Sequence, residues 1–430
     1  MAITPKEKRS LLSSQARVQA PWVKVTIGGF TFGVFSRTKA NKTDVNDFYS
    51  TYNVQYPNYV KSLNIVKING QVNQYTLQID YPIRPNDDPN FFEKVFSSVS
   101  GTREIVFSYG DSAIPTYCYK DEKAIITKIS QTFNLNSSVI TYTINAVSGS
   151  IVGKVGNFTF TAPEEKVKPS DIIKNVFYNN KYGLRSLFTG MNESNFNRLV
   201  DGSDKKVKLS TKTNISPLDY ISYLVGCMTP ESSTTSMISD GMYVLTIHDD
   251  TIYDSSYNDD LVDGGAYFKV TFTSSKVEQS DAYEIDVGYN TANIVSNFSI
   301  QNNENYSIFY EYAFEKYPEG YKQVIDNNGN VIKTYAPTWT SGNKNFTTRQ
   351  NDIQWYSKLT NYPISASITI QGLLRPATLM QYVRLNVIFP GGNKHISSGL
   401  YLVTQQTDSI SESGYKTTLN LTKISGDRLN

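Results

Sequence analysis

The chain has 430 residues, more than one ordinary hydrophobic core accommodates, and this predicts roughly two to four domains. The formal net charge of +2 and a charged fraction of 19% give no electrostatic case for a nucleic-acid groove or an acidic membrane surface. Hydrophobic residues make up 39% of the chain, which supplies packed cores and excludes global disorder. The 31 tyrosines, with frequent Thr, Asn and Ser, favour a β-rich protein with extensive protein contacts.

The first residues and the cysteines give no sign of secretion. Residues 1–19 include basic side chains but no apolar segment, so they predict a flexible arm and not a secretory signal. No segment reaches the roughly 18 apolar residues of a membrane span. Cys118 and Cys227 lie far apart and match no CxxC spacing, which indicates two free thiols in a reducing cytoplasm.

A strand-rich region is predicted at 20–155. Alternating apolar and polar residues flank Gly28-Gly29, and a second pair of such runs flanks Asn69-Gly70, so each site predicts a β-hairpin. One helix interrupts the strands at 90–99, where apolar residues recur at helical spacing. We therefore predict one small β-barrel or sandwich that carries a packed helix, and we take it as a first tube-like β-barrel.

A compact α+β domain is predicted at 165–250. It follows a charged, proline-flanked linker, and Ser170 is expected to cap its first helix. A second helix is predicted after Ser216-Pro217, and a strand at 242–248 closes the region. The fold class is therefore mainly β with a smaller α+β part.

The rest of the chain is predicted to repeat the first region. After a connecting strand-rich segment at 251–284, residues 285–430 read as a second tube-like β-barrel. The spacing between matched segments increases once along the chain, which predicts an insertion at about 313–358. The matched pairs of segments are 65–81 with 294–312, 105–107 with 383–385, and 140–146 with 415–421.

The C-terminal part carries the most specific motifs. Residues 368–376 end in Gly372-Leu-Leu-Arg-Pro376, residues 398–404 read Ser-Gly-Leu-Tyr-Leu-Val-Thr, and residues 408–421 form a hairpin that ends Tyr-Lys-Thr-Thr-Leu-Asn-Leu. This series resembles the closing barrel of bacteriophage baseplate or tail hub proteins, namely the late control protein D family and the hub domain of tail-associated lysins. Ala377 stands where that family often has glycine.

The resemblance implies a structural and non-enzymatic role. Hub proteins of this kind form a homotrimer in which two barrels per chain make a pseudo-sixfold ring. The ring joins a hexameric tail tube protein, or a distal tail ring, to a trimeric spike or tail-tip protein. Viral DNA passes transiently through the lumen during ejection. The expected location is the virion tail tip or baseplate, after synthesis in the bacterial host cytoplasm, without stable membrane binding.

The residues offer little for catalysis, and no catalytic, cofactor-binding or metal site is predicted. His248 lies beside Asp249 and Asp250, but no third ligand stands at a usual spacing, so a strand end is expected there. His395 is expected at a hairpin tip. Neither Cys118 nor Cys227 has a neighbour in sequence that would mark a nucleophile.

The acidic run at 249–263 could supply oxygen ligands to calcium, but the EF-hand order is missing and a solvated loop is the expectation. Gly28-Gly29 has no following helix or lysine, which argues against a phosphate loop.

Two other functions stay open. One is the hub part of a cell-wall-degrading tail lysin, which we disfavour because the predicted barrel reaches the last residue given. The other is a glycan-binding tail module that uses Trp339 and Trp355.

Overall fold

The structure is a computed structural model. It describes residues 21–33, 58–97, 103–111, 117–184, 200–230, 241–248, 252–254, 267–274, 283–288, 295–302, 322–325, 331–335, 364–371, 379 and 382–426. The arm predicted at 1–19 lies outside these ranges.

Most described elements are β-strands, as predicted. In chain order they are β1 Pro21–Ile27, β2 Phe30–Phe32, β3 Val60–Ile68, β4 Gln74–Pro82, β5 Glu104–Asp111, β6 Tyr117–Asn134, β7 Val139–Ser148, β8 Phe158–Phe160, β9 Lys212–Ile215, β10 Gly241–His248, β11 Ile252–Asp254, β12 Tyr267–Ser274, β13 Tyr283–Gly288, β14 Val295–Asn302, β15 Lys322–Ile325, β16 Val331–Tyr335, β17 Ile364–Gln371, β18 Tyr382–Ile388, β19 Gly399–Ser411 and β20 Gly414–Gly426. The α-helices are α1 Phe91–Ser97, α2 Pro169–Tyr178 and α3 Pro217–Cys227. Short 3-10 helices span Gly149–Lys154 and Asn180–Tyr182.

One large sheet dominates the fold. Its strands follow the order β14-β17-β20-β19-β3-β4-β7-β6-β5-β1-β2, with β18 beside β19, β13 beside β18, and β11 beside β6. Neighbours run antiparallel except for β13 and β18, which are parallel. We call β1–β7 the first sheet group, and β13, β14 and β17–β20 the second sheet group.

The described strands form no closed barrel. Among the described strands, no pairing joins the two outer strands of either sheet group. In the first sheet group the outer strand β3 pairs instead with β19, which continues the sheet from one group into the other. The mostly-β prediction is confirmed, whereas the two barrels stay a prediction.

The first sheet group forms as its alternation predicts. β3, β4 and β7 bury every second residue, and these side chains build one core with the buried face of α1. Phe92 of α1 is fully buried and contacts several rings, including Tyr142 at 5.2 Å between centroids. The two predicted hairpins and the predicted helix are confirmed in this group.

The α+β region has a core of its own. Residues of α2, α3 and β10 pack together, and Val270 of β12 joins them because β12 pairs with β10. The predicted Ser170 cap is wrong: Lys168 holds the N-cap position, and the buried carboxylate of Asp204 accepts from the Ser170 N–H at 3.0 Å. α3 follows Ser216-Pro217 as predicted, and Ser216 caps it by accepting from the Asp219 N–H.

The second sheet group packs around Ile368, Leu385, Tyr401 and Leu419, all nearly fully buried. Among the described strands, β14 pairs with β17 at 364–371. The segment 305–312, which the repeat alignment matched to β4, lies outside the described residues. Between β14 and β17 the structure describes only the hairpin of β15 and β16.

Candidate assembly interface

The two sheet groups meet at one antiparallel strand pair. Residues 405–411 of β19 lie opposite residues 62–68 of β3, with Ile410 opposite Leu63 and Ser409 opposite Asn64. The Ser409 hydroxyl donates to Asn64 Oδ1 at 2.9 Å on one face of this pair. On the other face Ile410 is 1% exposed and belongs to the core of the first sheet group. We call this strand pair the junction.

Three charged side chains are buried beside the junction. Lys67 of β3, Glu122 of β6 and Asp408 of β19 are each at most 3% exposed. The Lys67 ammonium lies 3.4 Å from Glu122 Oε1 and 4.0 Å from the centroid of the Tyr119 ring. We call Lys67, Glu122 and Asp408 the charge cluster. It ties together strands that are far apart in sequence.

Hydrogen bonds satisfy both carboxylates. Tyr75 and Tyr109 donate to Glu122 at 2.8 and 3.1 Å, respectively. Thr417 and Gln406 donate to Asp408 at 2.6 and 2.7 Å. Such bonds lower the cost of removing the charges from water.

The pKa values follow from this burial. Burial raises the pKa of the Asp408 carboxyl, and the Lys67 charge and the hydrogen bonds from Thr417 and Gln406 only partly oppose it. Burial, followed by the nearby Glu122 charge, raises the pKa of the Tyr109 hydroxyl well above its usual value. The Tyr109 hydroxyl therefore stays protonated and donates.

Sequence reasoning missed the charge cluster, although a signal was present. Leu63 and Ile65 alternate toward the core, and the same alternation places Lys67 on that buried face. Asp408 stands on the face of β19 that carries Ile410. A charge at a core-facing position of a strand indicates a buried partner, because an unpaired buried charge is costly.

The two sheet groups arrange their strands in the same order. The first runs β3-β4-β7-β6-β5, and the second runs β14-β17-β20-β19-β18. In each, the fourth strand of this order is long and pairs through its N-terminal half with the fifth. The leading strands β3 and β14 also share a register shift against their neighbours.

The long strands β6 and β19 carry the same local irregularity. The register of β6 against β7 shifts at Thr127, and that of β19 against β20 shifts at Thr404. At each shift the threonine hydroxyl donates to a backbone carbonyl of the next strand, Thr127 to Asn145 at 3.1 Å and Thr404 to Asn420 at 3.2 Å. A bulge with the same side-chain bond in both groups is a specific feature, since bulges are positional devices within a fold.

The equivalent halves of β6 and β19 differ in their surroundings. Residues 405–411 of β19 pair with β3, whereas residues 128–134 of β6 pair only with β7 among the described strands. Phe133 of β6 is 59% exposed, and Leu135 in the following turn is 86% exposed. The outer side of β14 likewise has no partner among the described strands. We call these two sides the β6 edge and the β14 edge.

The outward face of the central strands is polar and carries few charges. The charged residues that point to this face on β3, β4, β6, β7, β19 and β20 include Asp80 with its partner Lys61, Lys123 with Glu104 of β5, Lys128 and Lys416. Most of the other outward side chains are uncharged and polar, among them Ser62, Asn64, Thr76, Gln78, Thr141, Thr143, Asn145, Thr407, Ser409 and Thr418. This polar face is continuous across the junction.

The residues weighed for chemistry are spread over the fold. His248 ends β10 opposite Tyr267, and Cys118 lies on β6, opposite Gly110 of β5. Cys227 is buried in the α+β core. The His395 ring lies in the loop between β18 and β19, as predicted, with Nδ1 2.7 Å from the Ser397 hydroxyl.

Asp254 belongs to β11, and the other acidic residues of the 249–263 run lie outside the described residues, as do Trp339 and Trp355. Within the described ranges, no three His, Cys, Asp or Glu side chains gather to hold a metal ion. No helix in the described part of the chain is long and apolar enough to cross a membrane.

No protein-family model matches the sequence, and no curated protein is similar to it. Among solved structures, the 43 kDa tail protein of prophage MuSo2 from Shewanella oneidensis is similar, with 10% identity, a TM-score of 0.46, and coverage of 94% of this chain and 96% of that one. An E. coli type VI secretion component, described as structurally similar to T4 bacteriophage tail proteins gp27 and gp5, is also similar. Its identity is 10% and its TM-score 0.40, and the match covers 85% of this chain and 74% of that one. A Francisella PdpA-VgrG complex is similar with 12% identity and a TM-score of 0.42, and the match covers 97% of this chain and 61% of that one.

The resemblance to phage tail proteins that the sequence indicates is thus also found among solved structures. Identities of 10–12% and TM-scores below 0.5 assign no role to individual residues.

Proposed function

We propose that this protein is a non-enzymatic hub of a bacteriophage tail or baseplate. In this role three chains form a ring that joins the tail tube to the spike and leaves a channel for DNA. The observation that carries the proposal is the repeated strand order of the two sheet groups, with the same bulge and the same threonine hydrogen bond in each. Shared irregularities of this kind support a duplicated unit.

The duplication matters because of symmetry. A tube of hexameric rings offers six equivalent contacts at its end, and a spike of three chains offers three. A closed ring can match both numbers when each of three hub chains supplies two similar units. The first and second sheet groups provide those units at 20–155 and 285–430, with an insertion at about 313–358 in the second.

The sheet is wide enough to enclose a channel. Eight strands, from β14 to β6, lie side by side in each chain. Three copies of eight strands spaced by about 4.8 Å span a perimeter of roughly 115 Å, hence a backbone diameter of roughly 37 Å before strand tilt is counted. This diameter leaves room for a DNA duplex.

The polar face suits the lumen of such a channel. Lys and Arg clusters hold DNA through its phosphates, and this interaction dominates non-specific affinity. The polar face offers mainly hydroxyl and amide groups, with Lys61 held by Asp80 at 3.2 Å. DNA would slide past such a surface without being bound tightly.

The two other candidate functions have cheap tests. A hub part of a tail lysin should clear peptidoglycan in a zymogram, and the clearing should be lost on substitution of a single Asp or Glu. A glycan-binding module should retain specific sugars on a glycan array. We expect neither result.

The direct test of the hub is the mass of the assembled full chain. Native mass spectrometry should detect three chains of 48.3 kDa in one particle. A stable dimer, tetramer or hexamer in place of the trimer would contradict the proposal.

A further inference from the structure

We propose that the β6 edge of one chain pairs, antiparallel, with the β14 edge of the next chain, in the register of the junction within one chain. This inference rests on the proposed ring and names the contact that closes it. The argument compares two equivalent strands in different surroundings. The second half of β19 pairs with β3, whereas the second half of β6 pairs on this side with no strand in the described part of the chain.

The occupant follows from the strand order. In the junction, the long strand of the second sheet group pairs with the leading strand of the first. The long strand of the first group is β6, and the leading strand that has a free side among the described strands is β14 of the second group. Within one chain these edges lie at opposite ends of the eight-strand row, so the partner of the β6 edge is a second copy of the chain. An open strand edge is a ready template for such pairing.

The register carries over from the shared irregularities. When the bulge at Thr127 is matched to the bulge at Thr404, Thr132 of β6 takes the position of Ser409 in β19. When the register shift of β14 is matched to that of β3, Ser299 takes the position of Asn64. The inferred contact therefore puts Thr132 opposite Ser299. The same match puts Phe133 opposite Phe298 and Asn134 opposite Asn297.

The side chains fit this arrangement. Phe133 occupies the position of Ile410, which is 1% exposed in the junction, whereas Phe133 is 59% exposed. Its inferred partner Phe298 is only partly buried against the core of the second sheet group. Two aromatic rings opposite each other in neighbouring strands stabilise an antiparallel pair. The exposed ring of Phe133 thus has a matching apolar partner on the β14 edge.

The core-facing positions of the inferred contact are uncharged, unlike those of the junction. The positions of Lys67 and Asp408 are taken by Asn302 and Gln131. Chains that assemble through this edge do not have to desolvate a buried ion pair. Desolvation of the charges is the costly step in forming the charge cluster. Within one chain, where the two groups are already linked covalently, that cost is easier to meet.

Disulfide trapping tests the register. The full chain carrying Thr132→Cys and Ser299→Cys should form interchain disulfides under mild oxidation, and so should Ser130→Cys with Gln301→Cys. Because each chain then carries both halves of the contact, the covalent ladder on a non-reducing gel should stop at three chains. Asn134→Cys with Gln301→Cys is the out-of-register control and should stay uncrosslinked. The wild-type chain, with Cys118 and Cys227, controls for background disulfides.

The junction supplies a matched positive control, since Ser409→Cys with Asn64→Cys is the equivalent pair within one chain and should close without joining chains. Crosslinking of the control alone, at protein concentrations up to the solubility limit, overturns the inferred contact. If the chain forms a native trimer but no crosslinks, the inferred contact is refuted and the proposed hub still stands. If in-register crosslinks form but the ladder extends beyond three chains, the contact is supported and the three-chain ring is refuted.

A side-chain test adds a second readout. Phe133→Asp should raise the dissociation constant of the assembly by roughly 10-fold or more, because burial of the ring is lost and a charge must be desolvated. The melting temperature of the separated chain should hardly change, since Phe133 is exposed there. Phe389→Asp is the control and should leave assembly intact, because Phe389 is 51% exposed and lies away from both edges. Equal effects of both substitutions would overturn the inference.

Discussion

Replacing Lys67 with methionine tests the charge cluster. The Lys67 side chain is 4% exposed and that of Glu122 is fully buried, so the substitution leaves two buried carboxylates, Glu122 and Asp408, without the cation that faces them. Removing one partner of a buried ion pair costs about 3–5 kcal/mol. This is a large share of the roughly 5–15 kcal/mol that stabilises a typical folded domain.

The assay is urea unfolding followed by near-ultraviolet circular dichroism, which reports on the tyrosines around Glu122. Lys61→Met is the matched control, because Lys61 pairs with Asp80 at 3.2 Å but is 53% exposed, and exposed pairs contribute at most about 1 kcal/mol. The double variant Lys67→Met with Glu122→Gln should recover part of the loss. If Lys67→Met costs no more than Lys61→Met, the cluster does not stabilise the junction.

Four further outcomes are expected. Burial raises the folded-state pKa of Asp408 above its ordinary 3.8, so the wild-type free energy of unfolding should fall as pH rises from below 3.8 through that raised pKa. In urea titrations at a series of pH values, Asp408→Asn should lack this part of the fall. Phe92→Ala should cost about 3–5 kcal/mol in the same assay, because the ring is fully buried in the first core; a loss below about 1 kcal/mol would contradict the packing. Gly33→Ala should lower the melting temperature more than Gly29→Ala: both have positive φ, but a Cβ at Gly33 would meet neighbouring atoms at 2.6 and 2.9 Å and a Cβ at Gly29 meets nothing within 4 Å. Deletion of 313–358 with a short Gly/Ser linker should leave cooperative unfolding, since loop closure costs grow slowly with length, and loss of cooperativity would count against an insertion.

The local elements could be predicted from the sequence. Alternation predicts β3, β4 and β7 because each buries every second side chain, and helical spacing predicts α1 because Phe92 and Phe96 share its buried face. The predicted start of α3 after Ser216-Pro217 is confirmed, whereas the predicted cap at Ser170 is wrong, because the distant Asp204 carboxylate accepts from the Ser170 N–H. Contacts between residues far apart in sequence are not encoded in local patterns.

The same limit applies to the predicted repeat. The segment 305–312 has the alternation of β4 and lies outside the described residues, and among the described strands the counterpart of β4 in the sheet order is β17. Periodicity identifies a strand without identifying its neighbour, and an insertion between strands leaves the pattern intact. The junction and its charge cluster depend on the pairing of β19 with β3, across most of the chain, so only Lys67 and Asp408 at core-facing positions signalled them.

The measurement that tests the central claim most directly is an electron cryo-microscopy reconstruction of the assembled full chain. The account predicts three chains around a central channel, with the first and second sheet groups alternating as six similar units and the polar face lining the channel. It also predicts that the two groups superpose on β3-β4-β7-β6-β5 and β14-β17-β20-β19-β18. A ring with another number of chains, or two groups that do not superpose, would contradict it.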